Sequence, residues 1–385
     1  MHFLRPTVNN LALLALAATV VRLYPHADKK LGAPSVVSTL TSPTTRANLA
    51  TFSKYTIQDL GTLPEGSTSA GMKANSTGQV VGIADDTNGL DHAFLWEDGK
   101  LRDLGSLGGK QSRAAAINDA SQVVGTSLAD NGQGFSWHPF IWKNGKMSDM
   151  LPNSEGNTFL TPLDINSQGQ VTGFADIQLK GTRAVIWQRN NITDLGTLGG
   201  RDCIGRAIND KGQIAGSSQV AEGDAKQHAF LYDRTNGMKD LGTLGTGKES
   251  EAEALNNQGD VVGWSMTAEP ADGAVSHAFV WSKGKMTDLG TLGGKNSSAC
   301  SINDKGQIVG TSEDEESALR GFIWQGGQGV ALDMLLPPNS GWRISPRQES
   351  PYSLGHLYIN NQGQITGNAM HDGKMHAFLM TPRPN

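Results

Sequence analysis

Between residues 55 and 382 the apolar residues come in short runs punctuated by Gly, Asn and Asp. That pattern predicts many short strands joined by tight turns. Runs such as Ala93-Phe94-Leu95-Trp96 are apolar at consecutive positions. Such strands need cover on both faces.

The runs repeat. The motif Asn-x-x-Gly-Gln-(Val/Ile)-x-Gly begins at Asn75, Asn118, Asn166, Asn209, Asn256, Asn303 and Asn360, with spacings of 43, 48, 43, 47, 47 and 57 residues. This period suits a propeller blade better than a solenoid coil of about 20 to 30 residues. A second motif, His-Ala-Phe-Leu-Trp at 92–96, recurs at 138–142, 183–187, 228–232, 277–281, 320–324 and 376–380. A third, Asp-Leu-Gly-Thr-Leu, begins at Asp59, Asp103, Asp194, Asp240 and Asp288, with degenerate copies at Asp149 and Asp333.

Each unit reads as four strands; in the sixth they are 298–302, 307–311, 321–324 and 330–334. Asn303-Asp304-Lys305-Gly306 suits a type I turn ending on a left-handed Gly, and Asp98-Gly99 and Asn144-Gly145 suit type I′ hairpins. The last unit lacks an Asp-Leu-Gly strand, whereas the repeat region opens on an orphan one at 55–60. Pairing the two completes a seventh sheet and joins the ends, which an open solenoid with polar caps has no use for. The expectation is an all-β, seven-bladed β-propeller of four-stranded antiparallel blades, ring-closed by an N-terminal strand and spanning 55–382.

What precedes the repeats is different. Residues 1–10 carry His2 and Arg5, and residues 11–21 are apolar except for Thr19. A positive start followed by eleven such residues is the layout of a secretory signal peptide, assigned to 1–26. It is short for a bilayer span of roughly 20 residues, so the mature chain is expected to have no membrane span. The Ser, Thr, Pro and Ala-rich stretch 27–54 reads as a disordered linker. Export permits disulfides, but Cys203 and Cys300 occupy different positions in repeats that are not neighbours. Cys203 stands where other units carry Ser69, Ser112, Ser250 and Ser297.

The motifs also resemble a known family. His-Ala-Phe-Leu-Trp, the Asp-Leu-Gly-Thr-Leu-Gly-Gly of 288–294 and the Ile-Asn-Asp-Lys-Gly-Gln-Ile-Val-Gly of 302–310 are similar to the HAF repeats of extracellular bacterial proteins. The stretch from Pro338-Asn339-Ser340-Gly341-Trp342 to Ala377-Phe378-Leu379-Met380-Thr381-Pro382 resembles that family's terminal repeat. The resemblance covers about residues 55 to 382. It implies export, a secreted or cell-surface location, and no established activity.

Composition removes several functions. A net charge of −5 on 385 residues, without a basic stripe, speaks against nucleic acid. His92, His138, His228, His277 and His376 share one repeat position, but Arg183 and Arg320 fill it in the other two units, and arginine is no metal ligand. An aspartate follows each: Asp103, Asp149, Asp240 and Asp288 after the first four histidines, Asp194 and Asp333 after the arginines. His376 takes Asp59 from the closing strand. If Asp98-Gly99 is a two-residue turn, Phe94 faces Asp103 and His92 lies diagonal to it on the same strand face. The seven pairs therefore read as structural, with no metal and no cofactor. The Asn-Asp-x-Gly turns lack the carboxylates of calcium loops, and the Gly-Gly pairs lack the context of phosphate cradles.

No singular nucleophile stands beside a singular histidine; His356 and His371 have no evident partner. The remaining candidates sit on the loop face, where connections after second strands and between blades vary most. Phe135 and Trp137 occupy a Gly-rich loop, and Trp342, Arg343, Arg347 and Tyr352 occupy the long crossing 335–353, beside the acidic run 313–316. Variable loops on a rigid scaffold concentrate function, and Trp, Tyr and Arg dominate binding hot spots. The expectation is a monomeric, non-catalytic binding or scaffold module for a protein or glycan ligand. The alternatives are a secreted glycan-acting hydrolase or lyase working at the channel mouth, and a structural envelope or matrix protein.

Overall fold

The computed structural model describes residues 49–130, 134–151, 159–177, 180–189, 191–268, 275–344 and 357–383. The expected signal peptide and most of the expected linker lie outside them. Among the described residues the strands form seven antiparallel sheets, and helix is confined to two short 3-10 turns. Blade 1 comprises Ser69–Ala74, Val80–Asp85, Asp91–Glu97 and Lys100–Asp103, hydrogen-bonded in that order. Blades 2 to 6 repeat the plan over 108–149, 159–194, 203–240, 250–290 and 293–331. The first strands touch one another around the ring and line its centre, while the fourth strands form its rim. The protein is a seven-bladed β-propeller.

Blade 7 is closed by the N-terminal strand. Tyr55–Asp59 pairs antiparallel with Lys374–Pro382, with Tyr55 opposite Pro382 and Asp59 opposite Phe378. Tyr55 is 2% exposed, and burial pushes its hydroxyl pKa up to about 12. The propeller also starts earlier than the expected boundary at residue 55. Phe52 is buried, Gln325 donates to the Thr51 carbonyl, and Lys54 donates to the Met334 carbonyl.

The sequence motifs explain the blade. The third strand buries one large residue at the same position in six blades: Phe94, Phe140, Phe230, Phe279, Phe322 and Phe378. Opposite each lies the last glycine of the Asn motif, as Gly82 faces Phe94 and Gly216 faces Phe230. A bulge in the first strand presses a carbonyl against this glycine, so a Cβ on Gly216 would sit 1.9 Å from the Ile204 oxygen. Only glycine fits there. The turn chemistry follows the sequence too: Asp98 and Gly99 take φ of 50° and 78°, the type I′ signature.

Buried serines lock blade to blade. Ser112 Oγ accepts the Ala93 N–H and donates to the Gly105 carbonyl of the preceding blade. Ser69, Ser250 and Ser297 make the same two bonds. Cys203 and Cys300 are buried free thiols.

A closed circuit of asparagines completes the ring. The Nδ2 of Asn75 donates to the carbonyl of Asn118, and so on through Asn166, Asn209, Asn256, Asn303 and Asn360, which donates back to Asn75. Each Oδ1 also accepts the N–H groups two and four residues on, as Asn209 does from Lys211 and Gln213. The amide thus terminates its own strand and grips the next blade in one step.

Two expectations for the sixth blade are corrected. Its fourth strand is Gln328–Ala331, after which the chain tightens into a 3-10 turn at Leu332–Leu335. Asp333 therefore leaves the sheet edge, and its Oδ1 accepts the Ile344 N–H instead. The first strand of blade 7 is also split: Trp342–Arg343 and Tyr358–Ile359 pair separately with Ile365–His371.

Candidate functional site

Three places concentrate charged and aromatic side chains. The first is the channel, lined by the first strands. Arg206 Nη2 bonds Glu251 at 2.9 Å, and its Nη1 lies 3.7 Å from Glu253. Across the ring, Lys73 of blade 1 pairs with Asp164 of blade 3, whose other oxygen accepts the Ile208 N–H. Burial pushes the Glu251 and Glu253 carboxyls up, against the pull of Arg206. The Tyr358 hydroxyl also rises on burial, and the Cys300 thiol rises to about 12. Arg206 stays cationic because the two carboxylates outweigh its desolvation. Its Nε has no partner among the described residues.

These residues were missed in the sequence reading, although a signal was present. Arg206, Glu253 and Cys300 each stand three residues before the motif asparagine, where blades 1 to 3 carry Met72, Ala115 and Leu163. A charged pair in an otherwise uncharged column marks a departure from the repeat that packing alone does not require.

The second place is the His/Arg–Asp position. His92 meets Asp103 at 2.9 Å, His138 meets Asp149 at 2.8 Å, His228 meets Asp240 at 2.9 Å and His277 meets Asp288 at 2.8 Å. Arg183 meets Asp194 at 3.2 Å. Phe94 faces Asp103, so the diagonal geometry read from the turn is the one present. Most of these aspartates also accept the N–H two residues on, as Asp288 does from Gly290. Arg320 departs: it bonds Asp314 at 2.9 Å and lies 3.6 Å from Asp333, because Asp333 has left the sheet.

In blade 7 the position gains a third member. Asp59 Oδ2 lies 2.7 Å from His376 Nδ1 and 3.2 Å from His371 Nδ1. His371 stacks on Trp342 at 4.3 Å and 6°, and Trp342 sets its edge against Phe378. Burial opposes the charge on Asp59, but His376, the Gly61 N–H and His371 outweigh it and hold the carboxyl below its usual range. This is the group among the described residues whose donors converge closely enough to hold a metal.

The third place is the loop face of blade 2. Its second and third strands, Val123–Asp130 and Phe135–Lys143, are longer than those of blade 1. Phe135, paired opposite Asp130 at the end of the described hairpin, is 59% exposed. The Arg113 guanidinium lies 4.7 Å over the Trp137 ring and bonds Asp91 at 2.8 Å, bridging blades 1 and 2. Trp342 and Arg343 do not join Phe135; they lie on blade 7. Arg347, Tyr352 and His356 lie outside the described residues.

No protein-family model matches the chain, and neither does any curated protein. Among solved structures, the chain is similar to the propeller domain of the Trilobed protease from Pyrococcus furiosus. The identity is 10% over 72% of this chain and 86% of that one, with a TM-score of 0.47. TolB from Acinetobacter baumannii is similar at 11% identity over 98% and 92% of the two chains, with a TM-score of 0.40. An acylaminoacyl peptidase from Pyrococcus horikoshii is similar at 10% identity over 86% of this chain and 53% of its own, with a TM-score of 0.46.

Proposed function

We propose that the protein is an exported, non-catalytic binding or scaffold module of HAF-repeat type that contacts a protein or glycan through the loop face of blade 2. The observation behind this reading is Phe135, a large apolar side chain held 59% exposed on an extended hairpin. Beside it, Trp137 and Arg113 form a braced aromatic and cationic surface. An exposed aromatic next to an immobilised one costs little ordering entropy on binding.

The test is a glycan array and a pull-down from whole-cell surface material, using residues 49–385 with either Phe135 or Phe135→Ser. Capture that falls at least about tenfold in the variant, with an unchanged melt, supports the reading. Equal capture by both proteins removes the blade 2 surface.

A second reading, a secreted glycan-acting hydrolase or lyase, draws on the channel. Two carboxyls with raised pKa beside an arginine and a tyrosine are the materials of general acid–base chemistry. Turnover in a general hydrolase screen that disappears in Glu253→Gln would transfer the function to the channel.

A further inference from the structure

We propose that Asp59, His371 and His376 form a divalent transition-metal site of the zinc class that staples the closed ring. Two imidazole nitrogens face one carboxylate oxygen, at 3.2 and 2.7 Å. The three donor atoms all lie within 4.8 Å of one another. A tetrahedral zinc ion bonds nitrogen and oxygen at about 2.0–2.2 Å, which asks for donors roughly 3.3 Å apart. The group is therefore close to ligating geometry before any ion arrives. Two histidines and one carboxylate, with a fourth position left to solvent, is a common zinc donor set. The side chains are 31%, 26% and 17% exposed for Asp59, His371 and His376, so solvent reaches that fourth position.

Among the described residues the convergence is particular to blade 7. Blade 1 pairs Ala84 with His92, and blade 7 pairs Ala369 with His376. Two residues further on, blade 1 has Asp86 and blade 7 has His371. In blade 1 the two acids meet opposite nitrogens of one ring, His92 Nδ1 facing Asp103 and Nε2 facing Asp86, so the donors do not converge on one point. In blade 7 two histidines face the same carboxylate oxygen. His371 is also held in place. Trp342 stacks flat on its ring, with centroids 4.3 Å apart.

The three donors come from three strands. Asp59 belongs to the N-terminal closing strand, His371 to the second strand of the blade and His376 to the third. An ion bound to all three ties the start of the propeller to its end, and its binding adds to the stability of the closed state alone.

The experiment uses tag-free protein, stripped with chelator and dialysed. Expected results are uptake of one Zn2+ per chain, a melting temperature that rises with Zn2+, and visible absorption bands of four-coordinate Co2+ on cobalt substitution. His371→Phe keeps a ring against Trp342 but removes a ligand, and should weaken uptake at least about tenfold and abolish the rise. His277→Ala, which alters an ordinary pair, should retain both. Wild-type protein that takes up no zinc and shows no cobalt bands would overturn the proposal, whether or not the variants fold. Undiminished zinc uptake by folded His371→Phe would also overturn it.

Discussion

The asparagine circuit makes a quantitative demand at any one of its members. Asn209 is 5% exposed and uses all four of its hydrogen-bonding positions. Its Nδ2 donates to Gln213 Oε1 at 2.8 Å and to the Asn256 carbonyl at 3.0 Å, and its Oδ1 accepts two turn N–H groups at 3.0 Å. In Asn209→Ala the turn N–H groups can turn to water, since Lys211 is exposed and Gln213 only half-buried. The Asn256 carbonyl is enclosed between blades and keeps most of its desolvation penalty, about 1–3 kcal/mol. With the remaining bonds counted at a few tenths each, the loss is about 3 kcal/mol. At roughly 2 cal/mol/K of unfolding entropy per residue over some 330 residues, that lowers the melting temperature by about 4 °C. Asn209→Asp is the sharper control. It keeps the acceptor but turns a second oxygen toward two acceptors, so it should cost at least as much as alanine. Calorimetry and urea titration at pH 7 provide the measurement. If Asn209→Asp melts with the parent, the Nδ2 bonds do not hold the ring, and the reasoning fails.

Three further perturbations test other parts of the structure. Gly216→Ala places a Cβ 1.9 Å from the Ile204 carbonyl, and its failure to yield folded protein, read by circular dichroism, is expected. Trp342→Ala removes the stack on His371 and should cost about 1–2 kcal/mol in a thermal melt, because the ring is only half-buried; an unchanged melt would contradict the stacking. The His277–Asp288 pair sets a pH window. The bond to Asp288 raises the His277 pKa despite burial; burial opposes the Asp288 charge, but His277 and the Gly290 N–H hold that carboxyl low. The histidine's contribution is complete below its unfolded pKa of about 6.5 and disappears as pH rises through the folded value. The aspartate's is complete above about 4 and disappears as pH falls through its folded value. His277→Gln should therefore reduce the difference in melting temperature between pH 5 and pH 8; an unaltered difference would contradict the pairing.

The repeat made most of the fold legible. Seven copies of the Asn motif at blade-length spacing, with one strand missing at the end and one spare at the start, leave little else for the chain to form. The His92–Asp103 diagonal was readable because Asp98-Gly99 sets the hairpin register by local turn chemistry. The asparagine circuit was not readable, since each bond spans a whole blade and the motif by itself specifies only a turn. Asp333 was misplaced because the chain after Ala331 tightens into a 3-10 turn, so identity in the repeat did not preserve position. His371 showed no partner because its acceptor, Asp59, is 312 residues away and reaches it only through ring closure. The channel charges were legible in principle, as departures from an uncharged column, but reading each repeat along the chain hides what comparing columns reveals.

The closing strand is the part on which the ring, the asparagine circuit at Asn360 and the blade 7 cluster all depend. Tyr55, Leu60 and Leu63 are each under 9% exposed, and the strand carries Asp59 to His376. The direct measurement removes that strand and supplies it again. A chain starting at residue 64 is titrated with a peptide of residues 49–63, following its melt and binding by calorimetry. A closed propeller requires the truncated chain to melt well below the parent and to recover on binding one peptide, with Tyr55→Ser peptide binding at least about tenfold more weakly. A truncated chain that melts with the parent and binds no peptide would contradict closure.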